Sequence, residues 1–279
     1  MRDARKIISS IEQLPPFPQV ALKVMEMVQD EDISFRELAK VIQLDQSMTA
    51  NLLKICNSPF FGLRRKVSSV QEALVYLGQK YFMEVIMEMA SAGYFREGQR
   101  GYDLAKGELW RHSVACALAS QLLEKEIGLQ ESSLLFTTAL LHDIGKVVLS
   151  EFVAEALEDI RRRVDEGASF LEAEEEVLGV DHAALGGMIA ERWSFPEEMV
   201  RTIRLHHRPE EDWEGLTPLV YLADILCLQM GIGTGVDGLQ YRAKDEVLRR
   251  FGLGDRDLMG VMVELEARLE QAEAMINLN

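Results

Sequence analysis

The sequence predicts an all-α protein, and three observations support this fold class. Apolar residues recur at three- and four-residue spacing along most of the chain, which is the spacing of one helix face. The chain has no convincing run of alternating apolar and polar residues bounded by turns, as a half-buried strand would have. Capping residues and prolines interrupt the apolar pattern at intervals that suit helices. We therefore expect a multi-helical bundle.

Composition and charge narrow the class of protein further. With 279 residues, 48% of them hydrophobic, the chain can bury a large core in one domain or in two closely packed ones. A formal net charge of −16 disfavours binding to nucleic acid or to an anionic membrane, since both need clustered basic residues. The stretch 216–235 contains Asp224 and three glycines, which favours a buried helix over a membrane span.

The N-terminus and the cysteines indicate the compartment. The chain begins with an amphipathic helix rather than an export signal, so we expect a cytoplasmic protein. Its three cysteines, Cys56, Cys116 and Cys227, lie far apart inside helical apolar patterns and form no C-x-x-C pair. We therefore expect buried, reduced thiols.

Helix boundaries are clear in the N-terminal part of the chain. A proline-rich stretch at 15–18 precedes one helix, and Ser34 with Glu37 forms a capping-box pair that starts the next. Asp45 caps a third helix, which stops before Pro59 because a proline cannot extend it.

Glycines mark the predicted division of the chain. Two more helices are expected at 69–77 and 79–92, and the stretch 97–107, which contains three glycines, follows as a linker. We therefore predict an N-terminal helical lobe at 1–97 and a second helical lobe at 108–279.

Caps and apolar runs also define the helices of the second lobe. Helices are expected at 108–124, through the apolar run 134–149, at 155–166, at 170–178, at 183–193, up to residue 206, from residue 217 and at 257–279. Asp181 is placed to cap the helix at 183–193, and Ser194 with Glu197 forms a second capping-box pair. The three glutamates at 174–176 are most simply interpreted as a solvated helix face.

Three ionisable side chains stand inside the apolar run at 134–149. His142, Asp143 and Lys146 would be buried there, and a buried charge costs several kcal/mol unless it is paired or coordinates a metal. Helical spacing puts Lys146 on the same side as the other two residues. Two interpretations are equally open at this point: a His–Asp metal pair, or a buried His–Asp hydrogen bond with a paired lysine.

The five histidines of the chain lie between residues 112 and 207, and two acids isolated among apolar residues accompany them. The candidate metal ligands are His112, His142, Asp143, His182, His206, His207 and Asp224. This mixture suits one or two divalent transition metals (Fe, Mn, Ni, Co or Zn) and is too rich in nitrogen for calcium or magnesium. The alternative is a set of five unrelated core histidines, and the shared location favours the metal site.

The order of these residues resembles the HD superfamily of metal-dependent phosphohydrolases. His-Asp-Ile-Gly-Lys at 142–146 is similar to the extended HD motif of its HD-GYP branch. Leu-Pro-Pro-Phe-Pro at 14–18, Asn-Ser-Pro-Phe-Phe-Gly at 57–62 and Val-Ser-Ser at 67–69 resemble HDOD domains, the HD-related output domain of bacterial signalling proteins. The likeness covers almost the whole chain.

This resemblance implies a role for each candidate residue. One metal would be held by His112, His142, Asp143 and Asp224, and Asp143 would bridge to a second metal held by His182 and His206, with His207 as a further ligand. In an enzyme, Asp143 and Lys146 would be the catalytic residues. Lys146 would face the phosphate and offset charge in the transition state.

The resemblance leaves two functions open. After His207 the chain lacks the Gly-x-Gly-Tyr-Pro segment associated with cyclic di-GMP hydrolysis, and many HDOD domains serve as regulators or scaffolds. We therefore expect a bacterial signal-transduction regulator with an intact binuclear metal site, which acts through a signalling protein partner or a phosphate-containing small molecule. The alternative is an active metal-dependent phosphohydrolase, a phosphodiesterase that acts on a nucleotide or cyclic nucleotide.

Overall fold

The computed structural model describes residues 4–28, 30, 33–58, 61, 63, 65–129, 132–236 and 245–276. Across these residues the regular structure is helical, and the only β-type pairing is an isolated bridge between Gln99 and Leu104. The α-helices are α1 (Ala4–Ser10), α2 (Gln19–Val28), α3 (Phe35–Ile42), α4 (Gln46–Cys56), α5 (Val70–Ser91), α6 (Glu108–Glu126), α7 (Ser133–Leu141), α8 (Ile144–Asp165), α9 (Phe170–Leu178), α10 (His182–Arg192), α11 (Glu197–Leu205), α12 (Thr217–Gln229), α13 (Asp245–Phe251) and α14 (Asp255–Ile276). The predicted all-α class is confirmed.

The chain divides into two compact units. One takes in the described residues of Met1–Pro15 and Tyr94–Leu265, and the other takes in those of Pro16–Gly93 and Glu266–Asn279. The boundary at Tyr94 lies close to the end of the predicted N-terminal lobe. The described residues 4–15, however, belong to the unit with Tyr94–Leu265, and the described residues 266–276 belong to the unit with Pro16–Gly93. The two predicted lobes, as domains, stay a prediction.

Helices α2 to α5 build the unit around Pro16–Gly93, and α5 packs against each of the other three. The capping box of Ser34 with Glu37 and the Asp45 cap of α4 form as predicted. Helix α5 is interrupted at Gly78, where a φ of +74° favours glycine. It therefore comprises the two helices that the sequence predicts on either side of this residue.

The Asn57 side chain closes the connection between α4 and α5. It donates from Nδ2 to the carbonyl oxygen of Val67 at 2.7 Å, and its Oδ1 accepts from the Val67 amide at 2.8 Å. Both backbone polar groups of Val67 are satisfied in this way. The first residue of the Asn-Ser-Pro motif is therefore a structural anchor for the following segment.

Helices α6 to α12 build the core of the other unit. Helix α6 packs against α7 and α12, α8 packs against α9 and α10, and α10 packs against α11. The predicted linker also belongs to this core, because Gly101 and Tyr102 are buried and their short 3₁₀ helix packs on α8. A Cβ at Gly101 would collide with the carbonyl oxygen of Ser150, so only glycine fits there.

The apolar stretch at 216–235 contains a core helix, as predicted. It forms α12, which is buried from Thr217 to Leu228 with Asp224 among the apolar residues. Among the helices that the structure describes, none is long and apolar enough to cross a membrane.

The apolar run at 134–149 does not form one continuous helix. Helix α7 ends at Leu141 and α8 begins at Ile144, so His142 and Asp143 lie at the break. The Nδ1 of His142 donates to the carbonyl oxygen of Ala139 at 2.7 Å, an acceptor that residue 143 would use in a continuous helix. The prediction of one continuous helix is therefore wrong, because the histidine ends α7. Lys146 still lies on the same side as His142, as predicted, since both side chains face Asp143 Oδ2.

The predicted capping box of Ser194 with Glu197 is also wrong. Pro196 is the N-cap of α11 and offers no side-chain hydrogen bond. Ser194 has a φ of +60°, and its amide donates to the carbonyl oxygen of Glu191 at 2.9 Å. This serine therefore belongs to the turn that ends α10 rather than to the start of α11.

The backbones of α8 and α10 touch at Gly145. A Cβ at this residue would collide with the carbonyl oxygen of His182 and would lie 2.8 Å from the amide nitrogen of Gly186. Neither atom belongs to a side chain that can rotate away. The contact fixes the first turn of α8 against the first turn of α10.

We expect Gly145→Ala to lower the free energy of unfolding by about 1–3 kcal/mol, because the two backbones must separate to admit a methyl group. Gly260→Ala is the matched control. Gly260 lies on an exposed part of α14, where an added Cβ meets nothing within 4 Å, and the change should be neutral or slightly stabilising. Denaturant unfolding of both variants measures the difference, and equal midpoints would contradict the close contact.

The unit around Pro16–Gly93 contains a partly buried carboxylate on α5. The Oε1 atom of Glu88 is inaccessible and has no hydrogen-bond partner among the described residues. Burial and the charge of Glu84, one turn earlier on α5, raise the pKa of Glu88 from 4.5 to about 8. Between about pH 4.5 and about pH 8, Glu88 is therefore protonated in the folded protein and ionised in the unfolded chain.

Stability should consequently fall as the pH rises from about 4.5 to about 8, since the folded state binds more protons in that window. Glu88→Gln removes this dependence, so its thermal midpoint should exceed that of the wild type by more at pH 8.5 than at pH 5. Glu26→Gln is the control, because Glu26 is exposed and pairs with Lys23. Melting curves at both pH values check the prediction, which fails if Glu88→Gln and Glu26→Gln respond alike.

Candidate metal centre

The seven candidate ligands come together in the unit that contains α6 to α12. They are His112 on α6, His142 and Asp143 between α7 and α8, His182 at the start of α10, His206 and His207 directly after α11, and Asp224 on α12. His207 is 9% exposed, and none of the other six exceeds 2%. Ionisable groups at this depth need compensation from one another or from a bound ion.

Four of the histidine rings are held by the same kind of hydrogen bond. In each ring Nδ1 lies 2.7–2.9 Å from a fixed acceptor, which is Ile232 O for His112, Ala139 O for His142, Glu174 Oε2 for His182 and Ile203 O for His206. Because these oxygens only accept, Nδ1 carries a hydrogen in all four rings. The other ring nitrogen, Nε2, is left for the cluster, as in metal sites where a second hydrogen bond fixes the tautomer.

Asp143 lies between two sets of imidazoles. Its Oδ2 atom is 3.6 Å from His112 Nε2 and 3.5 Å from His142 Nε2. Its Oδ1 atom is 3.7 Å from the Nε2 of both His182 and His206. These distances are longer than hydrogen bonds and suit atoms that surround an ion. The carboxylate can therefore face two metal positions, one on each side.

The ligand atoms form three overlapping groups, in each of which every atom lies within 4.8 Å of the others. The groups are His112, Cys116, His142 and Asp224; His142, Asp143 and His206; and His182, His206 and His207. Because His142 and His206 each belong to two groups, the cluster is continuous from one end to the other.

Several buried atoms of the cluster lack a hydrogen bond. Within the described part of the chain, His142 Nε2, His206 Nε2 and Asp143 Oδ1 are buried and have no hydrogen-bond partner. Leaving such an atom unsatisfied costs about 1–3 kcal/mol, which coordination would offset. Imidazole nitrogen together with carboxylate oxygen is a donor set for divalent transition metals. The residues of the cluster therefore fit such a metal.

Lys146 pairs with the central carboxylate. Its Nζ lies 2.8 Å from Asp143 Oδ2 and 5.4 Å from the centre of the Tyr102 ring. His142 Nε2 is 3.5 Å from the same oxygen and makes no hydrogen bond to it. The sequence left open a buried His–Asp hydrogen bond together with a paired lysine. The paired lysine is present, but the hydrogen bond between His142 and Asp143 is not.

The cluster carries opposite charges side by side. Burial favours the neutral ring of His112, but the hydrogen bond and charge of Asp224 outweigh it and raise its pKa to about 9. Burial and the charge of His142 lower the pKa of His206 to about 3. Burial opposes ionisation of Asp143, yet Lys146 and the neighbouring imidazoles hold its pKa well below the usual range. Metal binding would thus displace protons from cationic rings, and acid would oppose it.

Glu174 is a buried part of the site, and its prediction as a solvated residue is wrong. Its Oε1 accepts from the Tyr102 hydroxyl at 2.5 Å, and its Oε2 accepts from the amide and Nδ1 of His182 at 3.0 and 2.7 Å. This carboxylate outweighs the effect of burial and raises the pKa of His182 to about 9. Glu174 stands four residues after Phe170 and four before Leu178, both buried, so helical spacing could have identified its face.

The three cysteines are buried and free, as predicted. Cys116, however, lies in the first group of the cluster, which the sequence prediction did not include. It follows His112 by four residues on α6, and this spacing is the signal that could have found it.

Comparison with known families identifies one match. A family model described as the HDOD domain matches residues 14–209, a range that includes six of the seven candidate ligands. Asp224 lies beyond the matched residues.

Individual relatives were found among curated proteins and solved structures. An uncharacterized protein of Treponema pallidum (strain Nichols) is 26% identical over 221 residues, or 78% of this chain and 42% of that protein. The chain thus spans less than half the length of this curated relative. An HDOD domain protein of unknown function from Geobacter sulfurreducens is 28% identical, with a TM-score of 0.75 over 99% of this chain and 97% of that one.

A second solved structure shows the same fold at lower identity. It is a protein of Shewanella amazonensis SB2B, provisionally named a phosphohydrolase, which is 21% identical. The TM-score is 0.70, and the match covers 99% of this chain and 98% of that one. At this identity the likeness shows the fold alone.

We expect Glu174→Gln to weaken metal binding by about 10–100-fold, because the amide cannot hold the His182 ring as a carboxylate does. Competition with a chromophoric chelator measures the affinity for Zn²⁺. Glu176→Gln is the matched control, since Glu176 is exposed and pairs with Arg163 on the surface. Equal affinities for the two variants would contradict the role of Glu174.

Proposed function

The chain belongs to the HDOD domain family, and from this premise we propose that it is a metal-binding regulator of bacterial signal transduction. In this proposal two divalent transition metals occupy the cluster, with Asp143 between them. The protein acts in the cytoplasm through a signalling protein partner or a phosphate-containing small molecule. The sequence resemblance to HDOD domains is confirmed, and the finer function rests on the site.

The observation that supports the proposal is that all seven candidate ligands are present and deeply buried. None of the residues facing the two positions exceeds 9% exposure, and the central Asp143 is 1% exposed. An enzyme of phosphate esters must bring substrate oxygens against its metals. A regulator needs only that the metals hold the surrounding helices together, and deep burial suits that role.

Metal binding would stabilise the folded state in proportion to its affinity. The candidate ligands come from α6, α10, α12 and the segments after α7 and α11, so one centre connects most of this unit's helices. A ligand that binds only the folded state at 100 times its Kd adds about 2.7 kcal/mol of stability. Binding or loss of metal would in this way change the stability of the folded unit that a partner meets.

The alternative function is a metal-dependent phosphohydrolase, and Lys146 is the observation that favours it. Bound divalent metals would activate water and neutralise charge on a phosphate. Lys146 lies 2.8 Å from Asp143 Oδ2, and a protonated amine at that place can also attract a phosphate oxygen. Cyclic di-GMP is not the expected substrate, because the chain after His207 lacks the Gly-x-Gly-Tyr-Pro segment.

Metal analysis combined with hydrolysis assays separates the two functions. We expect the purified or reconstituted protein to contain divalent metal, a chelator to lower its thermal midpoint, and mono-, di- and cyclic nucleotides to remain intact. Asp143→Ala should lose both the metal and the chelator effect. The exposed Asp159→Ala, which removes a surface pair with Arg162, is the control.

Other outcomes would decide against the regulator. Nucleotide hydrolysis by the wild type that is lost in both Asp143→Ala and Lys146→Ala would establish the phosphohydrolase. Lys125→Ala, which changes a surface lysine, is the control and should keep the hydrolysis. A wild-type protein that binds no divalent metal after reconstitution would contradict both functions.

A further inference from the structure

The cluster of candidate metal ligands also contains a sulfur atom, to which the proposed function assigns no role. Cys116 stands one turn after His112 on α6, and both side chains are buried. Its Sγ lies 3.4 Å from His112 Nε2, and it belongs to the same group as His142 and Asp224.

We propose that Cys116 is a ligand of the metal position formed by His112, His142 and Asp224. This inference rests on the proposed metal site and makes that position a mixed nitrogen, oxygen and sulfur site. The metal–sulfur bond forms as the S–H bond breaks, and the proton leaves to solvent. Because thiolate ligands select thiophilic ions, Zn²⁺ or Co²⁺ would be preferred there over Mn²⁺.

The separations between the atoms fit one coordination sphere. A Zn²⁺ ion with nitrogen at about 2.1 Å and sulfur at about 2.3 Å places the two ligand atoms roughly 3.1–3.6 Å apart. The observed distance of 3.4 Å from Cys116 Sγ to His112 Nε2 lies inside that interval. The same nitrogen is 3.1 Å from Asp224 Oδ1, in the hydrogen bond that a bound metal would replace.

An independent observation points to a ligand at this place. His142 belongs to the same group as Cys116. Its Nε2 atom lies 3.9 Å from Asp224 Oδ1, is fully buried and has no hydrogen-bond partner within the described residues. Its Nδ1 is already held by Ala139. The sulfur therefore adjoins a nitrogen that is oriented toward the group and lacks a partner, rather than standing alone in an apolar core.

The other two cysteines provide controls within the same chain. Cys227 lies one turn after Asp224 on α12 and is close enough to Cys116 for a hydrogen bond, but it belongs to none of the three groups among the described residues. Cys56 lies in the other compact unit, on α4. Without a metal, burial and Cys227 raise the pKa of Cys116, so the free residue is a thiol.

Titration of the full chain with Co²⁺ under reducing, oxygen-free conditions tests the proposal without an assay of activity. We expect visible ligand-field bands together with a near-ultraviolet sulfur-to-cobalt charge-transfer band. Cys116→Ser should keep the ligand-field bands and lose the charge-transfer band. Cys227→Ser and Cys56→Ser should keep both. We also expect Cys116→Ser to lower the affinity for Zn²⁺ on the order of tenfold or more, with a smaller effect on Mn²⁺.

A measurement on the wild type keeps the test independent of how the variants fold. X-ray absorption of the Zn²⁺-loaded protein should contain a sulfur shell at about 2.3 Å. Metal bound by nitrogen and oxygen alone, or a charge-transfer band retained in Cys116→Ser, would overturn the role of Cys116 and leave the metal site intact. A protein that binds no metal would overturn the proposed function and this inference together.

Discussion

The burial of the Asp143 carboxylate is the constraint on which the rest of its unit depends. An ionised carboxylate at 1% exposure destabilises a folded protein by several kcal/mol unless its surroundings compensate the charge. Here the compensation comes from the ammonium of Lys146 and from imidazoles on both sides of the carboxylate. These groups lie on different helices, so the packing of the helices and the neutralisation of the charge depend on each other. A change that separates the helices leaves the carboxylate unpaired.

Helix ends, more than helix middles, orient the site. His142 and His206 are the C-caps of α7 and α11, and each donates Nδ1 to the carbonyl oxygen three residues earlier. An end carbonyl has no helical partner, so the bond that completes the helix also fixes the ring and its tautomer. His182 follows the N-cap Asp181 directly and receives its orientation from the neighbouring helix α9 instead, through Glu174.

The sequence predicts local features and candidate ligands better than their surroundings. The capping box of Ser34 with Glu37 depends on residues within one turn, so its prediction needs no knowledge of the fold. The candidate ligands could be selected from the sequence because burying an ionisable residue in an apolar helix costs free energy wherever the fold places that helix. The helix break at His142 could not be predicted, since an apolar run has the same pattern whether a helix continues or stops. Glu174 was missed because its acidic neighbours in the sequence are exposed. Cys116 was missed because cysteine is an ordinary core residue, and its role depends on which helix faces it.

The contact between Gly145 and Gly186 has a consequence for how such a site can vary. Helices α8 and α10 meet there through main-chain atoms, next to Asp143 on one side and His182 on the other. The separation of the segments that carry these two candidate ligands is therefore set by the backbone and is independent of the candidate ligand side chains. Point substitutions can exchange one ligand for another, or remove one, while the spacing stays constant. The identity of the candidate ligands and the spacing of α8 and α10 are thus separate properties of this unit.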